Sequence, residues 1–428
     1  MIGVQSMTIT LSRRDLLLGI TVSLPGWAMY RQIASLRAAH PAPNRTAQIR
    51  SPAEIQLPPI DATRIAKRVV ASVQPTTGER AIFVYDPTYY PELARAIYME
   101  LSGAGVYPII ALTFDPQESI GTSVGNPLAA VRALAANPAE AKKREEEVVR
   151  MLRPIFENAD IFLWLPARDT WPDLRWERLV DASRVRGIHF HWIIVPDGRS
   201  VEEIRALTRM YERSVLDTDY AMISKEQDRI INAIRGKNIR VTTAGGTDLR
   251  MHVPRNAWFH KDDGDMSPAR ARQAKSVRDR ELEIPVGALR FIPDSGSVEG
   301  RLALSRVPTG DGIAEGVTIE FERGRATRLR AEKNEAAFRA AWESVGGDID
   351  KVGEIVLGTN PLLVTALPSG ELPYFGYGAG YLRVSLGDNW ESGGTNRSPL
   401  GRPLWFLLER ASLEADGQAV TRDDRLVK

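Results

Sequence analysis

The chain has 428 residues, 43% of them hydrophobic, and 56 Lys plus Arg against 54 Asp plus Glu give a formal net charge of +2. That length allows two or three domains with separate cores and excludes disorder throughout, while the near-balanced, evenly spread charge gives no reason to expect a nucleic-acid partner. No cysteine is present, which removes disulfides, thiolate metal sites, iron–sulfur clusters and cysteine nucleophiles, so any metal has to rest on His, Asp, Glu or Tyr.

At the N-terminus, Ser12-Arg13-Arg14-Asp15-Leu16-Leu17-Leu18 sets two arginines before an apolar run that continues to about Tyr30 and is broken by Pro25-Gly26. Residues 1–40 therefore read as a twin-arginine export signal or anchor, directing the chain to the periplasm or another extracytoplasmic space. The alternative is an ordinary helix packed on the first domain, because no Ala-x-Ala cleavage site follows. The run is shorter than the roughly 20 unbroken apolar residues of a stable transmembrane helix. Residues 41–59 carry Pro41, Pro43, Pro52, Pro58 and Pro59 among polar residues, which is linker composition.

From residue 60 to 235 the pattern alternates. An amphipathic helix (Ile65, Val69, Val70, Val73) precedes an apolar strand at Ala81 to Tyr85; Pro91 opens a helix burying Leu93, Ala94, Ile97 and Leu101 that stops at Gly103 to Gly105; a strand follows at Pro108 to Thr113. Further apolar runs at Ile161 to Leu165 and His189 to Val195 complete the pattern of an α/β domain, Rossmann-like in layering, with a mostly parallel sheet covered on both faces. No Gly-x-Gly-x-x-Gly follows the first strand, where Asp86-Pro87 stands, so dinucleotide binding is not supported. After a helix around Lys225 to Arg235, residues 236–428 turn to short strands and Gly-marked turns, predicting a β-rich α+β second domain interrupted by a helix at Glu335 to Val345.

The five histidines are His40, His189, His191, His252 and His260, and none follows residue 260. His189 and His191 sit two apart in a strand and project from one face, a possible metal pair; the alternative is the polar face of an edge strand, since no carboxylate stands at fixed ligand spacing beside them. His252 lies in the strand Leu249 to Val253. His260 precedes the acidic loop Asp262, Asp263 and Asp265, a conceivable metal site or a solvated charge run. Arg270, Arg272, Lys275, Arg278 and Arg280 could face an acidic ligand or form a solvated helix face. Gly376-Tyr377-Gly378-Ala379-Gly380 precedes a strand, not a helix, and so reads as a mobile turn instead of an anion loop. Gly-x-Ser-x-Gly is missing, which leaves a serine triad without support.

The second domain also carries an ordered series of motifs: Gly246-Thr247-Asp248-Leu249, Pro285-Val286-Gly287, Ser297-Val298-Glu299-Gly300, Ile319-Glu320-Phe321, Glu332-Lys333-Asn334, Gly353-Glu354, Gly358-Thr359-Asn360-Pro361, Gly387-Asp388-Asn389, Gly393-Gly394-Thr395-Asn396 and Asp416-Gly417. Over residues 60–420 this order resembles the M29 metallopeptidases, the aminopeptidase T-like enzymes, whose scaffold the iron-dependent dihydroxypyridine dioxygenases share. The resemblance implies a two-domain subunit, a homodimer, and a dinuclear metal site in the second domain that releases N-terminal amino acids from peptides. It also implies a glutamate after the Pro-x-Gly turn, where Ala288 stands, and a histidine where Arg383 stands. The His-x-Asp pair implied near Leu400 to Trp405 is missing, and only Glu354 keeps a ligand's identity. One glutamate cannot hold a catalytic ion, so no metal cofactor is expected; zinc or cobalt would return only if this ligand accounting failed.

Two functions follow. An enzyme of this group with altered chemistry would use Glu354 as general base and Tyr381 or Arg383 to polarise a carbonyl, with Tyr377, Asn360, Asn396 and Arg402 binding a peptide or small molecule. Alternatively Tyr381, Arg383 and Ser385 share one strand face, and Arg383 pairs with Glu354 to make a non-catalytic pocket for an anionic group, or a purely structural salt bridge.

Overall fold

The computed structural model describes residues 7–11, 57–87, 89–114, 138–165, 176–192, 200–309, 312–363, 377–399 and 403–428. The arginine pair, most of the proline-rich linker, His40, Gly376 and Arg402 lie outside the described residues.

The first sheet is wholly parallel, in the order β1 (Met7–Leu11), β3 (Ile109–Phe114), β2 (Ala81–Tyr85), β4 (Ile161–Trp164), β5 (Arg186–Phe190) and β9 (Glu281–Ile284). Successive residues of β2 serve opposite cores. Phe83 packs with α1 (Ala62–Val73), α2 (Pro91–Gly103) and α5 (Val201–Leu216), and Ile82 and Val84 pack with α3 (Pro138–Glu157) and α4 (Trp176–Asp181). Sequence period two thus becomes a three-layer domain, since each crossover has to lay a helix on one face or the other. The helices start where their chemistry allows: Asp61 caps α1 through the Arg64 N–H, and Ser200 and Glu203 form a reciprocal capping box on α5. No helix among the described residues is long and apolar enough to cross a membrane.

Two antiparallel sheets follow, so the fold is mixed α/β as expected. A five-stranded sheet runs β16 (Pro403–Leu408), β15 (Leu382–Gly387), β14 (Val352–Gly358), β10 (Ala288–Phe291) and β8 (Phe259–Lys261). An eight-stranded sheet contains β6 (Lys237–Thr243), β7 (Asp248–Val253), β11 (Glu299–Pro308) and β12 (Ile313–Glu322) at its centre. Leu289, Phe291, Ile355, Leu357, Leu382 and Val384 join the core shared with the eight-stranded sheet and with the helix Glu335–Val345. Ala288 and Val356 point the other way, into the core that continues under the parallel sheet.

Strand β9 departs from a simple division at residue 236. It lies 45 residues beyond that point and yet forms the last strand of the parallel sheet, with His189 in register with Glu283. The chain then turns through Pro285–Gly287 straight into β10, so one short connection fixes how the edge of the first sheet meets the face of the second. Gly287 at that turn has φ +137°, and a Cβ there would come within 2.6 Å of Asn360 Cβ.

Candidate active site: an arginine-filled cavity between two sheets

Strand alternation places four polar side chains at the first sheet's edge. His189 and His191 share one face of the β5 segment, and Glu281 and Glu283 share the adjoining face of β9. His189 Nδ1 lies 2.9 Å from Glu281 Oε1 and 3.0 Å from His191 Nε2, which lies 3.1 Å from Glu283 Oε1. The histidines therefore do not line an edge strand, since β9 covers β5, and the missing carboxylates come from that later strand.

From the second sheet, Arg290 of β10 reaches between two carboxylates. Its Nη1 donates to Glu354 Oε1 at 2.9 Å, and its Nη2 donates to Glu283 Oε2 and the Tyr377 hydroxyl. Arg383 of β15 contributes one longer contact, 3.4 Å to Glu354 Oε1, and Ser392 Oγ donates to Glu354 Oε2 at 2.7 Å. The expected Arg383–Glu354 pair is present, but Arg290 is the nearer cation. Arg278 closes the network, donating to Glu281 and Glu283 at 2.8 and 3.1 Å and ion-pairing with Glu391 at 2.5 Å. Arg278 thus corrects the expectation of a solvated basic helix, because that helix stops at Ala271 and Arg278 is buried.

All residues of this network except His189 and Glu281 line a cavity of about 170 Å³, which Ser385, Asp388, Trp390 and Trp405 also line. Burial pushes the carboxyls of Glu283 and Glu354 up, but the guanidinium of Arg290, and beside Glu354 that of Arg383, hold both below their ordinary range. Burial, reinforced by His189, Arg290 and Arg383 and opposed by Glu283, drives His191 well below its usual pKa. Burial and the neighbouring Glu283 push Asp262, whose Oδ1 accepts the Glu283 N–H at 2.8 Å, well up. Asp262 and Asp263 are buried, and Asp263 is paired with Lys261 and Arg270, so the acidic loop is no solvated charge run.

Other sequence candidates have scaffold roles. Asn360 is fully buried; its Nδ2 donates to Val286 O at 2.8 Å and its Oδ1 accepts from Leu362 N at 2.9 Å, which locks the Pro285–Gly287 turn. Asn396 Nδ2 donates to Val352 O at 3.2 Å. Tyr381 does not line the cavity; its ring covers Gly378 and lies near Asp424. Tyr377 does reach the site, and the turn carrying it is pinned by hydrogen bonds between Asn360 N and Tyr377 O at 3.0 Å and between Ala379 N and Asn360 O at 2.9 Å, not left loose. His252 faces solvent beside Asn238. His260 is buried 3.8 Å from Asp279, apart from the cavity.

Glu281, Glu283 and Arg290 are the residues that sequence reasoning missed. Their signal was there: charges alternating with Leu282, Ile284, Leu289 and Phe291 in short apolar strands, where a charge survives only if paired.

A dinuclear metal centre at the Glu354 position does not fit these residues. Ala288 offers no donor atom, Arg383 is cationic, and both Glu354 oxygens are engaged by Arg290, Arg383 and Ser392. The same engagement leaves Glu354 unsuited to act as a general base.

No family profile and no curated protein matches this chain. Among solved structures, the chain is similar to AmpT from Thermus thermophilus, with a TM-score of 0.55 and 18% identity over 86% of this chain and 98% of that one. It is also similar to a 2,5-dihydroxypyridine dioxygenase from Pseudomonas putida, with a TM-score of 0.54 and 17% identity over 86% of this chain and 96% of that one. What the chain shares with both, across nearly their whole length, is the fold.

Proposed function

We propose that this protein binds a small amino-acid-like zwitterion on an aminopeptidase T-like scaffold, with the ligand carboxylate held by Arg383. The observation that carries this is the state of Arg383 and Ser385. Both are more than nine-tenths buried, both line the cavity, and Arg383 Nε and Ser385 Oγ have no hydrogen-bond partner among the described residues. A guanidinium with one long contact and a hydroxyl two residues along the same strand face make a donor pair suited to a planar carboxylate. Charge balance selects the rest of the ligand. Three guanidinia (Arg278, Arg290, Arg383) face four carboxylates (Glu283, Glu354, Asp388, Glu391) in the cavity wall, so a bare anion is opposed and a molecule that also carries an ammonium is accommodated. The volume, below the roughly 300 Å³ at which drug-sized pockets begin, suits a single amino acid.

The test is thermal unfolding of the full chain with L-leucine, succinate or butylamine, repeated on Arg383→Gln. Leucine is expected to stabilise, by about 2.7 kcal/mol at a hundredfold excess over its Kd, and R383Q to abolish the effect. No stabilisation by any of the three at millimolar concentration, or an equal response in R383Q, refutes the assignment. Export of the protein is proposed separately, on the Arg13-Arg14 motif alone.

A further inference from the structure

We infer that His189, His191 and Glu283 form a binding site for one divalent first-row transition-metal ion, separate from the Glu354 position. Three ligand atoms, His189 Nδ1, His191 Nε2 and one Glu283 carboxylate oxygen, converge within 4.8 Å of one another; Glu281 Oε1 lies 2.9 Å from His189 Nδ1 but stands outside this converging set.

Proton counting shows why hydrogen bonds alone serve this cluster poorly. Arg278 on Glu281, and Arg278 with Arg290 on Glu283, favour both carboxylates as anions. His191 Nε2 must then carry a proton to face Glu283, and His189 Nδ1 must carry one to face Glu281, which turns two N–H groups toward each other across 3.0 Å. Removing the proton from His189 Nδ1 relieves that clash and sets a lone pair against the Glu281 carboxylate instead. A cation among the three converging atoms takes a lone pair from each imidazole and from Glu283 at once. Tetrahedral zinc with bonds of about 2.0–2.1 Å puts its ligand atoms roughly 3.3 Å apart, near the 3.0 and 3.1 Å that separate His191 Nε2 from His189 Nδ1 and Glu283 Oε1.

The surroundings are those of oriented ligands. Glu283 gives Oε2 to Arg290 and Tyr377, and its Oε1, which also accepts from Arg278 at 3.1 Å, faces His191; Glu281 gives Oε2 to Arg278 and turns Oε1 to His189. Trp164 stacks flat on His189 at 3.8 Å between ring centroids and fixes that ring. Such outer contacts commonly preset ligand direction. With Glu281 added, five carboxylates oppose the three guanidinia around the cavity, and one dication cancels the two excess negative charges. Two imidazoles favour a first-row transition metal over magnesium or calcium, which prefer all-oxygen shells.

The experiment titrates the chelator-treated full-length protein with Co²⁺ and records the visible ligand-field bands alongside bound metal per chain. One equivalent with intense tetrahedral bands is expected. His189→Phe, which keeps a ring on Trp164, and His191→Gln should each weaken Co²⁺ binding by about 100-fold or more, at or beyond the upper end of what loss of an outer partner costs. Two histidine variants are used so that misfolding of one leaves the other decisive, while R383Q should bind Co²⁺ normally even if it fails with leucine. No bound Co²⁺ at micromolar concentrations, or Co²⁺ bound equally by either folded histidine variant, overturns the inference.

Discussion

Replacing Arg290 by methionine tests whether the buried ionic network is the keystone between the two sheets. The substitution keeps an unbranched stem of similar shape and removes the guanidinium and its charge. Arg290 is 3% exposed, and its loss takes the principal cation from both Glu283 and Glu354. Breaking one member of a buried ion pair costs about 3–5 kcal/mol. Arg278 and Tyr377 remain on Glu283, and Arg383 and Ser392 on Glu354, which places the expected cost near the lower end, about 3 kcal/mol. The pH dependence has a definite sign. In the native protein both carboxyls titrate below their unfolded values, so their contribution is full above the unfolded pKa of about 4.3 and is lost as pH falls through the lower folded values. The R290M penalty should therefore be largest at pH 7 and shrink below about pH 4. Urea unfolding followed by tryptophan fluorescence measures it, because Trp390 and Trp405 line the cavity. Adding Glu354→Gln should recover about 1–2 kcal/mol through the coupling of contacting residues. A cost under about 1 kcal/mol at pH 7, or an equal cost at pH 7 and well below pH 4, would show that the network does not join the sheets.

Other substitutions probe single links. Gly287→Ala should lower stability by about 2–4 kcal/mol in the same urea titration, because it forces a side chain into a left-handed backbone and against Asn360. Tyr381→Phe should leave ligand-induced stabilisation unchanged, since this ring lies away from the cavity wall, and a lost leucine response would return Tyr381 to the site. Asp279 accepts from Trp258 Nε1 at 3.0 Å and from the N–H groups of Lys275 and Ser276; burial pushes its carboxyl up, but His260 and these backbone donors pull it down to about 2. Asp279→Asn should therefore cost about 1–2 kcal/mol at pH 7, allowing for its partial exposure, and the difference should fade as pH drops from about 4 toward 2, as read from unfolding midpoints across that range.

Local patterning was enough for most elements of the fold. The strand at Ala81–Tyr85, the helix opened by Pro91 and the helix Glu335–Val345 stand where apolar periodicity, proline and glycine put them, because each pattern is set by neighbours within one or two turns. The pairing of Arg383 with Glu354 was anticipated too, from the ligand positions that the resemblance implies and not from strand phase. What only the tertiary structure decided is the partnership of β5 with β9. His189 and Glu281 are separated by 92 residues, and alternation along a strand tells which face a side chain takes but not which distant strand will lie beside it. That long-range parallel register, set by burial of Leu282 and Ile284 against the helical layers, turned two isolated histidines and an overlooked pair of glutamates into one cluster and aimed Arg290 between two carboxylates.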